Sequence, residues 1–331
     1  MAADPALSPT ANPRTDNLFM TRSTEHKTTV MVTGAGGFIG RAAVQALARQ
    51  GHRVIATYRS DPCPKIYGDV HWVKLDVTNT SDVSAIIHLH RPSHLLALAW
   101  YMGPGNQQSP ENFRWIQHSI DLLFAFSSAG GKRVTFCGSC MEYDWSGTDK
   151  LREDSTPISP ATEYGAAKAA LFTAFGPMCK ALDLSGSWAR PFFLYGPGEN
   201  PRRLAADVIR SLLQGQEALC THGQQKRDFL HVDDVATAMV ALLLSDLQGP
   251  VNIGSGTAIP LADLIHEIGR QTKADDLIRL GAREARPGDP PLVEADITRL
   301  HDQLKWTPRF TLKTGIADTI AWWRREIVRE R

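Results

Sequence analysis

Three glycines, Gly34, Gly37 and Gly40, recur at a three-residue spacing and constrain this chain more than any other feature. They separate the apolar run Thr29-Val30-Met31-Val32-Thr33, which reads as a strand, from a helical stretch, Arg41–Gln50, that Gly51 closes. Between a strand and a helix this spacing has a physical logic. One glycine makes the tight turn, one lets the backbone approach a pyrophosphate, and one lets the helix pack against the strand. The helix start, with Phe38 and Ile39 in its first turn, then offers unpaired N–H groups and a partial positive charge to phosphates. Strands are expected next at Arg53–Thr57, His71–Leu75, Leu95–Ala99 and Arg133–Cys137. Helices are expected at Ser81–His90 and Asn112–Ser128, the latter stopped by Gly130-Gly131. A longer helix is expected to open with Ser159 as cap and Pro160 in its first turn. Strand and helix alternating in this way predict a parallel sheet covered on both faces.

The alternation stops near Arg190, where Pro191, Pro197 and Pro201 punctuate the chain before a helix at Leu204–Gln214. It returns as a helix at Val232–Leu244 and a strand at Val251–Ile253, and the chain closes with a helix from Leu312 to Arg329. The predicted fold class is therefore α/β: a Rossmann-type doubly wound parallel sheet with a smaller, discontinuous C-terminal substrate lobe. The dinucleotide-binding domain takes residues 28–190 and 226–255, and the substrate lobe takes 191–225 and 256–331. Residues 1–27, with Pro5, Pro9 and Pro13 and no apolar periodicity, read as a flexible extension, and Met20 offers an alternative start. Lys and Arg total 36 against 35 Asp and Glu, so no net field draws the chain to nucleic acid or an anionic membrane. The longest wholly apolar run, Leu95–Trp100, falls far short of the roughly 20 residues a membrane helix needs. Five irregularly spaced cysteines and no signal-type N-terminus point to reduced thiols and a cytoplasmic setting.

The end of the second strand, about 20 residues beyond the glycines, is where such proteins read the cofactor's ribose. It carries Tyr58-Arg59-Ser60, with no carboxylate to repel a 2′-phosphate and a guanidinium able to pair with one. NADP(H) is thus favoured, with NAD(H) still open. Asp76 and Val77 end the third strand; the carboxylate can accept from the adenine amino group or cap the turn through Asn79. Tyr164 and Lys168 lie four residues apart in a helical segment and so share a face. An ammonium beside a phenol favours the phenolate, and lowering the pKa by ~2–3 units corresponds to about 3–4 kcal/mol. Such a phenol can pass a proton to a carbonyl oxygen. Ser139 follows the fifth strand, where a hydroxyl can hold the substrate oxygen beside the tyrosine.

With these residues in place, the chain resembles an extended short-chain dehydrogenase/reductase of the NAD-dependent epimerase/dehydratase family, whose members act on nucleotide-diphosphate sugars. The resemblance runs from Thr28 to about Trp323. It rests on Thr33–Gly40, Ser139 four residues ahead of Tyr143, Tyr164–Lys168, Arg190-Pro191 and Tyr195-Gly196-Pro197-Gly198. It extends through Arg227–Val235, Asn252–Gly256, Arg286–Pro290 and Trp306-Thr307-Pro308. It implies a catalytic group of Ser139, Tyr164 and Lys168, with Lys168 also holding the nicotinamide ribose. Leu98, Ala99 and Pro191 are implied near the nicotinamide, and Arg227 and Arg286 on the substrate diphosphate, as guanidinium geometry favours. Asp228, Asp233 and Asp234 beside Arg227 leave open an internal ion-pair and capping cluster. Tyr195 and Arg203 fall on the segment implied to cover the sugar. The resemblance also implies a homodimer built from Asn112–Ser128 and the helix carrying Tyr164.

Sugar dehydratases of this family carry Asp-Glu directly after the catalytic hydroxyl residue; here Cys140-Met141 stand there and Glu142 falls one step late. The stretch Gly138–Tyr143 is instead similar to 4-ketoreductases of deoxysugar pathways. The expected activity is NADPH-dependent reduction of a nucleotide-diphosphate 4-keto-6-deoxysugar. The alternatives are a sugar-nucleotide 4-epimerase and a non-catalytic dinucleotide sensor. Trp100-Tyr101 after Leu98-Ala99 form an apolar wall for a 6-deoxy sugar or simply pack the core. His88, His90 and His94 lack acidic or Cys partners at ligand spacing, so no metal site is expected.

Overall fold

The fold is organised by a parallel sheet whose strands are apolar on both faces. The computed structural model describes residues 28–60, 66, 68–147 and 149–330, so the 1–27 extension and Cys63 lie outside the described residues. The first lobe runs β1 (Thr29–Thr33), α1 (Phe38–Arg49), β2 (Arg53–Tyr58), β3 (Val70–Lys74), α2 (Thr80–His90), β4 (His94–Ala97) and α3 (Glu111–Ser128). It continues through β5 (Arg133–Cys137), α4 (Glu163–Ala181) and β6 (Ser185–Pro191). Beyond it come β7 (Phe193–Tyr195), α5 (Leu204–Leu213), β8 (Ala218–Leu219), β9 (Lys226–His231), α6 (Val232–Leu243) and β10 (Gly249–Ile253). The chain ends with β11 (Ala258–Pro260), α7 (Leu261–Thr272), β12 (Ile278–Arg279), β13 (Leu292–Val293) and α8 (Leu312–Glu330).

Seven strands pair in the order β10-β6-β5-β4-β1-β2-β3, all parallel. Side chains alternate across a strand, so β1 sends Val30 and Val32 into the core under α1 and α6 and Met31 into the core under α2, α3 and α4. Val54 and Ala56 of β2 follow the first pair and Ile55 the second. Such two-sided burial demands crossover helices on both faces, which accounts for the strand–helix rhythm.

The second lobe centres on β9, which pairs antiparallel with β11 and parallel with β13 and β7. Its core joins Ile209, Leu264, Ile268, Ile316, Ile320 and Trp323 from α5, α7 and α8. The expected return of the chain to the first sheet at residue 226 therefore moves to Val232, because β9 joins the second sheet and only α6 and β10 rejoin the first. The helix carrying Tyr164 also starts later than expected. Thr162, not Ser159, caps it by accepting from the Gly165 N–H at 3.1 Å, and Pro160 packs over the first turn at Gly165. Among the described residues no helix is long and apolar enough to cross a membrane.

Candidate active site

The ends of β1, β2, β4, β5 and β6 open onto one cleft of about 1050 Å³ that reaches the second lobe. At its floor, Gly34 turns the chain with φ +68°, a conformation that favours glycine. A Cβ there would stand 2.9 Å from the Ala99 backbone nitrogen, and one on Gly40 would collide with the Gly34 carbonyl. The turn is fastened by Ala35 N–H to Thr57 O (2.9 Å) and Gly37 N–H to Gly34 O (2.9 Å). Gly37 caps α1 with no side-chain hydrogen bond, so the N–H groups of the first helical turn are left without that partner. Phe38 and Ile39 line the cleft at this turn, and Arg59 lines it past the end of β2. A cradle that any Cβ would fill, an uncapped helix start and a guanidinium on one wall fit a phosphate-bearing dinucleotide. Asp76 Oδ1 accepts from Thr78 N–H (3.0 Å) and Oγ1 (2.8 Å), and the backbone bond leads in holding its carboxyl below the usual range. The carboxylate thus caps the turn while still fronting the cleft, as do Val77, Leu98, Ala99 and Pro191.

Ser139, Tyr164 and Lys168 converge on the same cleft. Lys168 is 1% exposed; its Nζ donates to the Cys137 carbonyl at 2.6 Å and sits 3.6 Å above the Trp100 ring. Burial pulls this amine down to about 8, against the favourable influence of Cys137 and Glu142. The Ser139 side chain stands beside the Tyr164 phenol and favours its phenolate, and Trp100 meets the tyrosine ring edge-on at 6.4 Å. The expected lowering of the Tyr164 pKa by Lys168 is not what the protein groups produce. Burial pushes the phenol up, Cys137 adds to this, and the neighbouring Ser139 hydroxyl opposes it. The ammonium is spent on the Cys137 carbonyl and Trp100, 5.9 Å from the tyrosine ring centre. The result is a neutral phenol with a hydroxyl partner, the protonation state of a proton donor.

The second-lobe side of the cleft carries Tyr195, Arg203, Arg227 and Arg286. Arg227 turns away from all three neighbouring aspartates. It pairs with Asp289 (2.7 Å) and donates to the Pro290 carbonyl (2.8 Å), which ties β9 to the loop bearing the exposed Arg286. Asp228 accepts from the backbone of Ser255, Gly256 and Ala295, and Asp234 from Arg309 and Phe310 N–H, while Asp233 pairs with Arg309. Tyr195 is 2% exposed, lies edge-on to His231 and belongs to the second core, with burial pushing its phenol up. Its placement is mainly structural, with one edge on the cleft. Arg203 occupies the N-cap position of α5.

Trp100 is both of the things its sequence position allowed: a cleft wall, and a buried ring whose Nε1 donates to Asn112 Oδ1 at 2.8 Å. Glu199, on the loop before α5, keeps one buried carboxyl oxygen without a hydrogen-bond partner and is pushed up to about 8 by burial. Nothing in Tyr195–Glu199 marks that position. Glu142 is fully buried beneath the β5 end and has no contact with the cleft, so it is not placed to remove a substrate proton. Among the described residues no cluster of three His, Cys, Asp or Glu could hold a metal ion, and Cys137, Cys140, Cys179 and Cys220 are free and buried.

The model of the NAD dependent epimerase/dehydratase family matches residues 30–254. The putative GDP-L-fucose synthase 2 of Arabidopsis thaliana is 27% identical over 337 residues, covering 93% of this chain and 95% of that protein. A dTDP-4-dehydro-6-deoxy-D-allose reductase of Streptomyces bikiniensis is 26% identical over 321 residues, covering 89% and 96%. The UDP-glucose 4-epimerase of Thermotoga maritima, solved with UDP-glucose, superposes with a TM-score of 0.81 at 23% identity, covering 90% of this chain and 99% of that one. At that identity the last comparison speaks to fold alone.

Proposed function

The chain belongs to the NAD dependent epimerase/dehydratase family, and from that premise we propose that it reduces the 4-keto group of a nucleotide-diphosphate 4-keto-6-deoxysugar with NADPH. One observation carries the reading: a single cleft is fronted by the glycine cradle and Arg59, by Ser139, Tyr164 and Lys168, and by Arg203, Arg227 and Arg286. The cradle at Gly34, Gly37 and Gly40 with α1 would hold the cofactor diphosphate, and Arg59 its 2′-phosphate. Asp76, Val77, Leu98, Ala99 and Pro191 would line the rest of that path. The nicotinamide, when bound, supplies the hydride for C4.

The chain's own residues do the remainder. Ser139 holds the carbonyl oxygen, and Tyr164, protonated because burial disfavours its phenolate, gives that oxygen its proton. Lys168, fixed on the Cys137 carbonyl, keeps a positive charge beside the site. Arg227 and Arg286 would bind the substrate diphosphate, and Arg203 would flank the sugar. The relatives named for GDP-L-fucose synthesis and for a 4-dehydro-6-deoxy sugar reduction support the same chemistry. Dimerisation through α3 and α4 is part of this reading; Phe113 and Phe124 on α3 stay 48% and 55% exposed three helical turns apart.

A 4-epimerase would use the same donor tyrosine on one substrate with no net cofactor turnover, and the fold is shared with such an enzyme. The two separate in one assay: NADPH and NADH absorbance followed in parallel over a panel of 4-keto sugar nucleotides. Stoichiometric NADPH consumption is expected. Interconversion of stereoisomers without loss of absorbance would replace the reductase by the epimerase. No turnover with any of them, alongside tight dinucleotide binding, would favour a sensor.

A further inference from the structure

We propose that Glu142 is a positioning residue: its buried carboxylate, clamped by Arg190 and Trp188, fixes the Ser139 backbone and so holds the Ser139 hydroxyl in place beside Tyr164. The inference rests on the reading of Ser139 and Tyr164 as catalytic. It goes beyond that reading by naming what holds the serine.

The chain leaves β5 at Cys137 and makes three consecutive commitments. The Cys137 carbonyl takes the Lys168 ammonium, Gly138 N–H donates to the Ala189 carbonyl (2.7 Å), and Ser139 adopts an extended conformation, φ −163° and ψ 149°. Ser139 faces two ways. Its N–H donates downward to Glu142 Oε1 at 2.7 Å, and its Oγ accepts from Met141 N–H at 3.2 Å in the cleft wall it shares with Tyr164.

Glu142 is itself immobilised. Oε1 and Oε2 accept from Trp188 Nε1 (3.0 and 3.1 Å), and Oε2 accepts from Arg190 Nε at 2.7 Å. Glu142, Arg190 and Trp188 are each 0% exposed. Arg190 passes the clamp on through Tyr143 Oη (2.9 Å) to Asn252 Oδ1 (2.8 Å), and so into β10. Gly138 makes room for this arrangement, since a Cβ there would run into both the Trp188 indole nitrogen and Glu142 Oε1. A charged pair sealed in a core is a poor source of stability, because desolvation offsets its attraction. A carboxylate that satisfies three donors, one of them the N–H of the serine in the site, has a better reason to be there. It fixes a strand end to within the tolerance that proton transfer requires.

The test compares Glu142→Leu/Arg190→Met, which removes the pair without stranding a charge, with Glu142→Gln/Arg190→Met, which keeps an oxygen facing the Ser139 N–H. The first is expected to lose about 10–100-fold in kcat with both KM values within about threefold. The second is expected to stay within about threefold of wild type. Repeated in a Ser139→Ala background, the first pair of substitutions should cost nothing further, because Glu142 acts through the serine. A folded Glu142→Leu/Arg190→Met protein with wild-type kcat, or an equal loss in the Ser139→Ala background, overturns the proposal. Amide exchange on the wild-type protein gives an arm that needs neither variant nor turnover. The Ser139 N–H should exchange slowly, and exchange at the rate of an exposed amide rejects the anchor even if the variants fail to fold. If wild type turns over no sugar nucleotide, the reductase reading falls, and the amide measurement still decides the anchor.

Discussion

Replacing Glu199 by glutamine removes one titration from the protein while keeping its shape, and this makes a sharp test of the cleft electrostatics. The Glu199 side chain is 7% exposed, one of its oxygens has no partner, and burial raises its pKa from 4.5 to about 8 against the pull of Arg203. The folded state therefore holds this proton more tightly than the unfolded chain. The stabilisation is complete below pH 4.5, declines as pH rises, and is gone once pH has passed 8. Linkage between those two pKa values gives a loss of about 2–3 kcal/mol between pH 6 and pH 9. At roughly 2 °C per kcal/mol for a chain of this size, that is a fall in Tm of about 5 °C from this group alone. Glutamine mimics the neutral acid and does not titrate. Thermal denaturation of both proteins from pH 5 to pH 9 should therefore give curves that lie close together at the acid end and separate as pH rises, with Glu199→Gln the flatter by that amount. Parallel curves would mean that Glu199 is ionised throughout, and the reasoning from its buried, unpartnered oxygen would be wrong.

Tyr164→Phe should lower kcat by about 10²–10⁴ and leave NADPH affinity within a few-fold, measured by turnover and fluorescence titration; activity surviving intact would remove the phenol from the chemistry. Arg59→Glu should raise the KM for NADPH at least about tenfold and leave that for NADH nearly unchanged, since the carboxylate repels the extra phosphate. Arg227→Met breaks the pair with Asp289 and should raise the sugar-nucleotide KM about 10–100-fold with a smaller change in kcat; an unchanged KM would leave Arg227 a purely structural tie. Gly40→Ala should yield a protein of much lower Tm without dinucleotide affinity, because its Cβ would strike the Gly34 carbonyl.

What sequence alone could tell about this molecule follows from which signals are local. The glycine turn, β5 and the helix after Gly34 are legible because turn chemistry and apolar runs act over a few residues. The strand β6 is not: Ser185-Gly186-Ser187-Trp188-Ala189-Arg190-Pro191 has no β-branched residue. It is a buried strand only because Arg133 and Thr135 bind Ser187 from the neighbouring strand and Glu142 takes Arg190. Helix α7 went unread for a related reason, its mixed composition resolving into a buried face only against α5 and α8. At the site, Tyr164, Lys168 and Ser139 were readable by spacing and place, whereas the direction of the tyrosine's pKa was not. That direction depends on where Lys168 points, and the Cys137 carbonyl and the Trp100 ring that claim it are a backbone atom and a side chain from another strand end. Arg227 shows the same limit, since its partner Asp289 lies 62 residues away.

The second lobe keeps its own hydrophobic core, centred on Ile209, Leu264, Ile268 and Ile320, with no member shared with the two cores that flank the parallel sheet. Substitutions among the residues proposed to hold the sugar nucleotide could accordingly be absorbed by repacking α5, α7 and α8, without touching the strand ends where the redox partner would sit. A change confined to that core would therefore reshape the far wall of the cleft and leave the glycine turn where it is.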